Sequence, residues 1–399
     1  MTTDIETVII GAGVIGLSIG AELARRGQNI LLIERADRAG TETSARNSGV
    51  IHAGIYYPKG SLRAKFCVDG KHALYRFCEQ NGVPFHNLGK LIVATKTDDI
   101  PKLESIAKNA KACGVLDLVP LDKSAAINRE PQLQCEAALL SPSTGIIDVH
   151  AFITALEGHI STFDGSVIFN TNVDRIKQRN DATFEIETRT HTKTNQINPT
   201  TRLTAKNIVI AAGLHATDIA DKVVTSSASK RKLQSYTSPR TYFAKGHYFA
   251  LTGKSPFETL IYPLPAKTGL GIHLTLEMDG RAKFGPDLTW TDTIDYHFDD
   301  EDGSRQKNFE DSIRSFWPSL PANAIHPDST GIRPRTYHAG EPMADFVIHD
   351  ATIHGTPNLV ALYGIESPGL TSALAIAVHV ADLINANPQH SVRRTVTTP

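Results

Sequence analysis

Apolar residues along this chain fall into short runs and helical stripes in a definite order. ETVII (6–10) is a β-branched run that stops at a glycine, which predicts a buried parallel strand. VIGLSIGAELARR (14–26) is apolar almost all round and predicts a helix, with Arg25 and Arg26 favourable at its C-terminal end and Gly27 as its cap. NILLIE (29–34) predicts the next strand, so the chain begins with a βαβ unit of nucleotide-binding size. Helical spacing recurs over 61–81 in Leu62, Phe66, Ala73, Leu74 and Phe77, ending at Gly82, and again over 98–113 and 150–163. KLIVAT (90–95) reads as a strand, 166–188 alternates like a strand pair, and KNIVIAAG (206–213) is a buried strand running into a glycine. Between 240 and 290 the alternation in YFAKGHYFAL, LIYPLP, GLGIHLTL and RAKFGP predicts an antiparallel meander. A helix near 305–316, a strand LVALYG (359–364) and a helix LTSALAIAVHVADLI (370–384) complete the pattern.

Parallel-type strands at both ends with an antiparallel block between them predict an α/β chain. A Rossmann-like domain of 1–85, 141–222 and 325–388 receives an antiparallel-sheet domain of 86–140 and 223–324. Polar stretches at 189–202 and 223–240 read as exposed loops, and 389–399 as a flexible tail. A length of 399 residues fits two domains rather than one core. The 41 basic and 42 acidic residues leave a net charge of −1 and no basic stripe, which argues against a nucleic-acid partner. The four cysteines show neither C-x-x-C nor metal-ligand spacing, so no metal is expected and reduced thiols in a cytoplasmic setting are. The first residues carry two acids and no basic leader, and no window holds 18 consecutive apolar residues, so a secretory signal and a transmembrane span are not expected; peripheral contact with the inner membrane stays open.

GAGVIG places Gly11, Gly13 and Gly16 between the first strand and helix. The first glycine permits the turn, the second admits a pyrophosphate close to the backbone, and the third lets helix and strand approach, while Val14 and Ile15 open the helix whose amides face the anion. Glu34 ends the next strand, positioned to accept hydrogen bonds from a ribose diol, with a 2'-phosphate repelled there. The rest of the parallel sheet comes from 206–213 and the C-terminus rather than from a continuous six-strand unit, which suits a flavin better than a nicotinamide dinucleotide. Ala212 and Gly213 let backbone pass close to such a ligand. YGIESPGLTSALAIA (363–377) repeats the strand, turn and helix logic, and its Pro368, Gly369, Leu370 and Thr371 present a helix N-terminus suited to a flavin pyrimidine. A structural glycine turn and an ordinary capped helix are the plain alternatives at these two places.

Taken together these segments resemble the FAD-dependent oxidoreductases of the D-amino-acid oxidase superfamily, and within it the L-2-hydroxyglutarate dehydrogenase/oxidase family. SARNSGVIHAGIYYPKGSLRAKFCVDG, GKLIVAT, SPSTGIIDVH, AKGHYFAL, GIHLTLEMDGRAKFGPD and GIRPR carry the resemblance, NSGVIHAGIYY most specifically. The resemblance implies FAD, oxidation of L-2-hydroxyglutarate to 2-oxoglutarate, and oxygen, a quinone or another carrier as electron acceptor. It also implies cofactor contacts from Arg35, Ser44, Ala45, Asn47, Ser48, Gly49, Val50, Val173, Gly331, Glu366 and Ser367. Lys245 stands where such proteins commonly have arginine, and Leu276 where they often have proline.

Oxidising a 2-hydroxy acid with a flavin needs a hydride path from carbon 2 to flavin N5, a base for the hydroxyl proton, and a cation for the carboxylate. Arg333 in GIRPR is the candidate cation, because a guanidinium grips a carboxylate through two bonds; an interdomain ion pair is its plain alternative. His52 and His273 compete as base, each able to accept a proton near neutrality and each otherwise a satisfied core residue. Tyr57, Lys245, Tyr262 and Glu366 are further substrate contacts, with Lys245 or Arg335 available for a second carboxylate. An amino-acid or amine oxidase, a glycerol-3-phosphate dehydrogenase-like enzyme and a non-catalytic flavoprotein are the rival readings.

Overall fold

In a computed structural model, residues 3–191, 199–225, 236–264 and 271–386 are described. The strands Ser166–Ile168, Ile30–Ile33, Ile5–Ile10, Thr201–Ile210 and Leu359–Tyr363 lie side by side in that order, all parallel. Both faces of this sheet are apolar, as parallel strands require. Ile9, Leu32 and Val209 face the helices Val14–Arg25, Leu62–Asn81, Val149–Thr162 and Gly369–Asn385. Val8, Ile10, Ile208 and Ile210 face the other way, against Ile176, Phe184 and Ile186 of the antiparallel strands Thr171–Gln178 and Phe184–Thr190.

The helix Val149–Thr162 begins at Asp148, whose carboxylate accepts the Ala151 amide at 2.9 Å. Four amides at a helix start have no partner within the helix, so this cap relieves one of them. Asp148→Ala is expected to cost about 1 kcal/mol, read as a lower midpoint of urea unfolding with the holoprotein spectrum unchanged.

The second sheet holds, in order, Thr289–Thr291, Tyr242–Leu251, Ala282–Gly285, His273–Leu276, Leu260–Pro263, Lys90–Ala94, Ala137–Ser141 and Val119–Asp122, with Ile325–Arg335 also paired to Tyr242–Leu251. The expected meander over 240–290 is therefore corrected. Leu260–Pro263 leaves Tyr242–Leu251 to lie parallel to Lys90–Ala94, and Ala282–Gly285 returns to pair with Tyr242–Leu251. Ile325–Arg335 is also a correction, because the boundary at 325 puts it with the first sheet and its pairing puts it on the second. Pro327 and Pro334 hide it in the sequence, since proline reads against a strand; among the described residues it has a single partner strand, and a missing N–H is tolerated at such an edge. Val223–Val224 moves the other way and pairs with Thr171–Gln178. The strand expected at 206 begins at Thr201, which shortens the expected loop at 189–202. The central part of that loop, most of 223–240 and the tail at 389–399 lie outside the described residues.

Candidate active site

The turns that leave the parallel strands at Ile10, Ile33, Ile210 and Tyr363 all open at the carboxyl edge of the sheet, where open α/β sheets bind ligands. They border a cavity of about 890 Å3, whose far wall is the second sheet. That volume lies within the range of cofactor and small-molecule sites, about 300–1,000 Å3.

At one end the glycine turn behaves as its spacing predicts. Gly11 has φ +102°, and a Cβ there would stand 2.6 Å from the Ala211 carbonyl oxygen. The helix start has no side-chain cap from Gly13, and Gly11, Gly13, Val14 and Ile15 all line the cavity. Glu34 lines it too, its carboxylate held by the amides of Ala12 (2.8 Å) and Ala36 (2.9 Å). Ser44 accepts the Val14 amide at 3.0 Å and so joins the segment that follows to the helix. Arg35, Ser44, Asn47, Ser48 and Val50 border the middle of the cavity, with Val173, Ala212 and Gly213 opposite.

Four expected cofactor contacts fall outside the wall. Gly16 sits behind the turn, where a Cβ would overlap the Gly11 carbonyl oxygen, so its role is the helix–strand approach. Gly49 is the turn that lets its carbonyl accept the Ile147 amide at 2.9 Å. Ala45 stands between wall residues without joining them. Thr371 accepts the His52 amide at 2.9 Å and donates to the Val50 carbonyl at 3.3 Å, which fixes the backbone that carries His52.

At the other end the cavity gathers His52, Tyr57, Tyr262, His273, Gly331 and Arg333, with Glu366, Ser367, Pro368, Gly369 and Leu370 at the second helix start. His52 shares a 3.2 Å hydrogen bond between its Nε2 and the Ser367 hydroxyl. Burial, with the charges of Lys90, His273 and Arg333, pushes its pKa down to about 3. His273 is stacked on Tyr262, ring centroids 3.7 Å apart and planes 8° from parallel. Glu366, with its carboxylate 2% exposed, meets three guanidinium groups, Arg63 at 3.1 Å, Arg335 at 3.4 Å and Arg333 at 3.8 Å. One buried carboxylate among three buried or half-buried cations leaves this end of the cavity positive.

Lys245 is the expected substrate contact that the structure removes. Residues alternate across a strand, and Gly246 and Tyr248 point to the cavity, so Lys245 and His247 point away. The Lys245 ammonium is 2.8 Å from Asp299 and 3.4 Å from Asp295, while His247 bonds Asp287 at 2.9 Å. Sequence reasoning also passes over Arg63, Tyr56 and Tyr248, all of which line the cavity. Arg63 had a signal, since it occupies one stripe with Cys67, Gly70 and Leu74 on its helix, all buried; a charge in a core stripe marks an internal ion pair.

A model of the FAD dependent oxidoreductase family matches residues 6–383. The chain is 39% identical to a protein of Arabidopsis thaliana named L-2-hydroxyglutarate dehydrogenase, mitochondrial, over 95% of this chain and 83% of the plant protein. It is 26% identical to the Escherichia coli (strain K12) protein named L-2-hydroxyglutarate dehydrogenase, covering 97% of this chain and 96% of that one. A dithionite-reduced L-alpha-glycerophosphate oxidase from Mycoplasma pneumoniae, solved with FAD bound, superposes with a TM-score of 0.80 at 25% identity, over 96% and 95% of the two chains. A carboxyl-edge cavity begun by a glycine turn and an acidic strand end, and a match over nearly the whole sequence, have one conclusion: the chain belongs to the FAD dependent oxidoreductase family.

Proposed function

We propose that the protein is an L-2-hydroxyglutarate dehydrogenase, which oxidises the 2-hydroxy acid to 2-oxoglutarate. The observation that carries this reading is that one cavity joins a dinucleotide cradle to an arginine and two histidines. The residues fit FAD. The cradle at Gly11 has no room for a side chain, the N-cap residues Gly13 and Pro368 contribute no capping side chain of their own, and Glu34 stands where a ribose would end. Val14–Ile15, Glu34, Ser44 and Asn47–Ser48 would hold the nucleotide, and Glu366–Leu370 the flavin. FAD, when bound, supplies the acceptor for the hydride from substrate carbon 2.

The protein's own residues do the rest. Arg333 grips the carboxylate beside the hydroxyl and so orients carbon 2. His52, kept neutral by burial and by its cationic neighbours, has one ring nitrogen engaged by Ser367 and accepts the hydroxyl proton on the other, Nδ1. Tyr262 and the stacked His273 form the opposite wall and exclude water. The first sheet carries the cofactor and the second the substrate. An electron acceptor, oxygen, a quinone or another carrier, completes the cycle in the cytoplasm or at the inner membrane surface. Among the described residues no helix is long and apolar enough to cross a membrane.

An anaerobic titration tests the reading. L-2-hydroxyglutarate is expected to bleach the flavin absorbance, whereas L-glutamate and glycerol 3-phosphate are not. Ammonia released from an amino acid, with no bleaching by the hydroxy acid, would replace the proposal with an amino-acid oxidase. Glu34→Ala is expected to weaken FAD binding about tenfold, measured by flavin fluorescence on dialysis, because a charged acceptor for the ribose is lost and the Ala12 and Ala36 amides lose theirs.

A further inference from the structure

His52, Tyr57 and Ser367 all line the cavity, and hydrogen bonds join their side chains in a row. The Ser367 hydroxyl is 3.2 Å from His52 Nε2 and also bonds the buried phenol of Tyr57. Each link is fixed through its own backbone. The His52 amide donates to the Thr371 hydroxyl at 2.9 Å, Arg63 Nη1 donates to the Ser367 carbonyl at 2.5 Å, and the Asn109 side chain donates to the Tyr57 carbonyl at 3.0 Å. Among the described residues His52 Nδ1 has no hydrogen-bond partner, which leaves that nitrogen for a ligand. A neutral imidazole carries one ring proton, and the partner of one nitrogen decides which of the two holds it. A serine hydroxyl can take either part. If it donates to Nε2, the ring proton sits on Nδ1, which then cannot accept another; if it accepts from Nε2, Nδ1 is bare.

We infer that Ser367 is a positioning residue: its hydroxyl, turned toward Tyr57, accepts the Nε2 proton of His52 and holds the imidazole in the tautomer whose Nδ1 can take the substrate's hydroxyl proton. The inference rests on the function proposed above. Tyr57 gives the row its direction, because a phenol oxygen that accepts the Ser367 proton leaves the hydroxyl only lone pairs to offer His52. Proton transfer makes the same demand. The imidazolium that forms has N–H on both nitrogens, so Ser367 must accept from Nε2, and a bond from a charged donor is the stronger one. Lys90, His273 and Arg333 oppose a positive charge on His52, and the strengthened bond to Ser367 offsets part of that opposition. The step balances: the substrate O–H breaks, Nδ1–H forms, the hydride leaves carbon 2 for FAD, and the protons on Nε2, Ser367 and Tyr57 stay in place.

The test reads the tautomer directly, by NMR of oxidised holoenzyme with histidine isotopically labelled at its ring nitrogens. The signal that is absent from His52→Gln belongs to His52, and it is expected to show Nε2 protonated and Nδ1 bare. In Ser367→Ala and in Tyr57→Phe that preference is expected to be lost, with the Nδ1–H form populated. In parallel, the limiting rate of flavin reduction by L-2-hydroxyglutarate should fall about thirtyfold in Ser367→Ala, the size of a hydrogen bond to a charged group, with KM little changed at equal flavin occupancy. Ser367→Thr keeps the hydroxyl and should recover most of the rate. If Ser367→Ala fails to hold FAD, Tyr57→Phe, which leaves the turn at Ser367 unaltered, gives the same reading. His52 protonated at Nδ1 in wild type, a wild-type rate in Ser367→Ala, or an equal loss in Ser367→Ala and Ser367→Thr overturns the assignment. Wild-type protein that L-2-hydroxyglutarate does not reduce removes the proposed function; the tautomer, read without substrate, tests the Ser367 assignment independently.

Discussion

Arg333→Ala is expected to lower kcat/KM for L-2-hydroxyglutarate on the order of a thousandfold, mostly through KM, with FAD still bound. Arg333 pairs with Ala244 across the two long strands of the second sheet, so its backbone is fixed on both sides of the side chain. Its guanidinium enters the cavity 24% exposed, while Glu366 behind it is 2% exposed. Removal of Arg333 leaves Glu366 with Arg63 at 3.1 Å and Arg335 at 3.4 Å, so no buried carboxylate is orphaned and the fold should survive. The loss is thus a loss of substrate binding rather than of structure. Arg333→Lys keeps the charge and loses the two-pronged grip, and should recover about tenfold of the deficit. Stopped-flow flavin reduction at varied substrate concentration separates the two constants; a KM equal to that of wild type would exclude Arg333 as the carboxylate anchor.

Where side-chain periodicity and chemistry point the same way, the sequence discloses both fold and site. Val8, Ile9 and Ile10 are apolar without a break because both faces of their strand are covered, and the glycine turn, Glu34 and the Ser44–Val50 segment follow in the order in which they line the cavity. His52 lies more than two hundred residues before His273 and Arg333, yet all three border the same space, a grouping that the family resemblance carries and that local pattern does not. Lys245 shows the limit of local reading. Strand alternation is visible in YFAKGHYFAL, but which of its two faces meets the cavity depends on partners as distant as Ile325–Arg335, a strand masked by its prolines. Lys90 was legible as the start of a strand and illegible as a buried charge, because a lysine ahead of an apolar run ordinarily marks the solvent end.

The second large effect is expected at His52. His52→Gln should slow anaerobic flavin reduction by L-2-hydroxyglutarate about a thousandfold, the size of a lost general base, with KM little changed. Glutamine approximates the imidazole in size and keeps a hydrogen bond for Ser367, so the backbone tie to Thr371 and the shape of the wall persist. His273→Gln should slow the step less, since the stacked pair with Tyr262 shapes the pocket without taking the proton. The acid side of the pH profile gives an independent reading. A base works only when unprotonated, so its contribution disappears as pH falls through its pKa. With His52 held down to about 3 by burial and by the charges of Lys90, His273 and Arg333, kcat/KM should show no acid limb near neutrality. A base titrating near the unperturbed imidazole value, about 6.5, would place the limb there instead. Removing one neighbouring charge tests the cause, because in Lys90→Met the field on His52 weakens and any acid limb should move upward, toward neutrality. An acid limb near 6.5 in wild type that persists in His52→Gln and vanishes in His273→Gln would transfer the proton to His273.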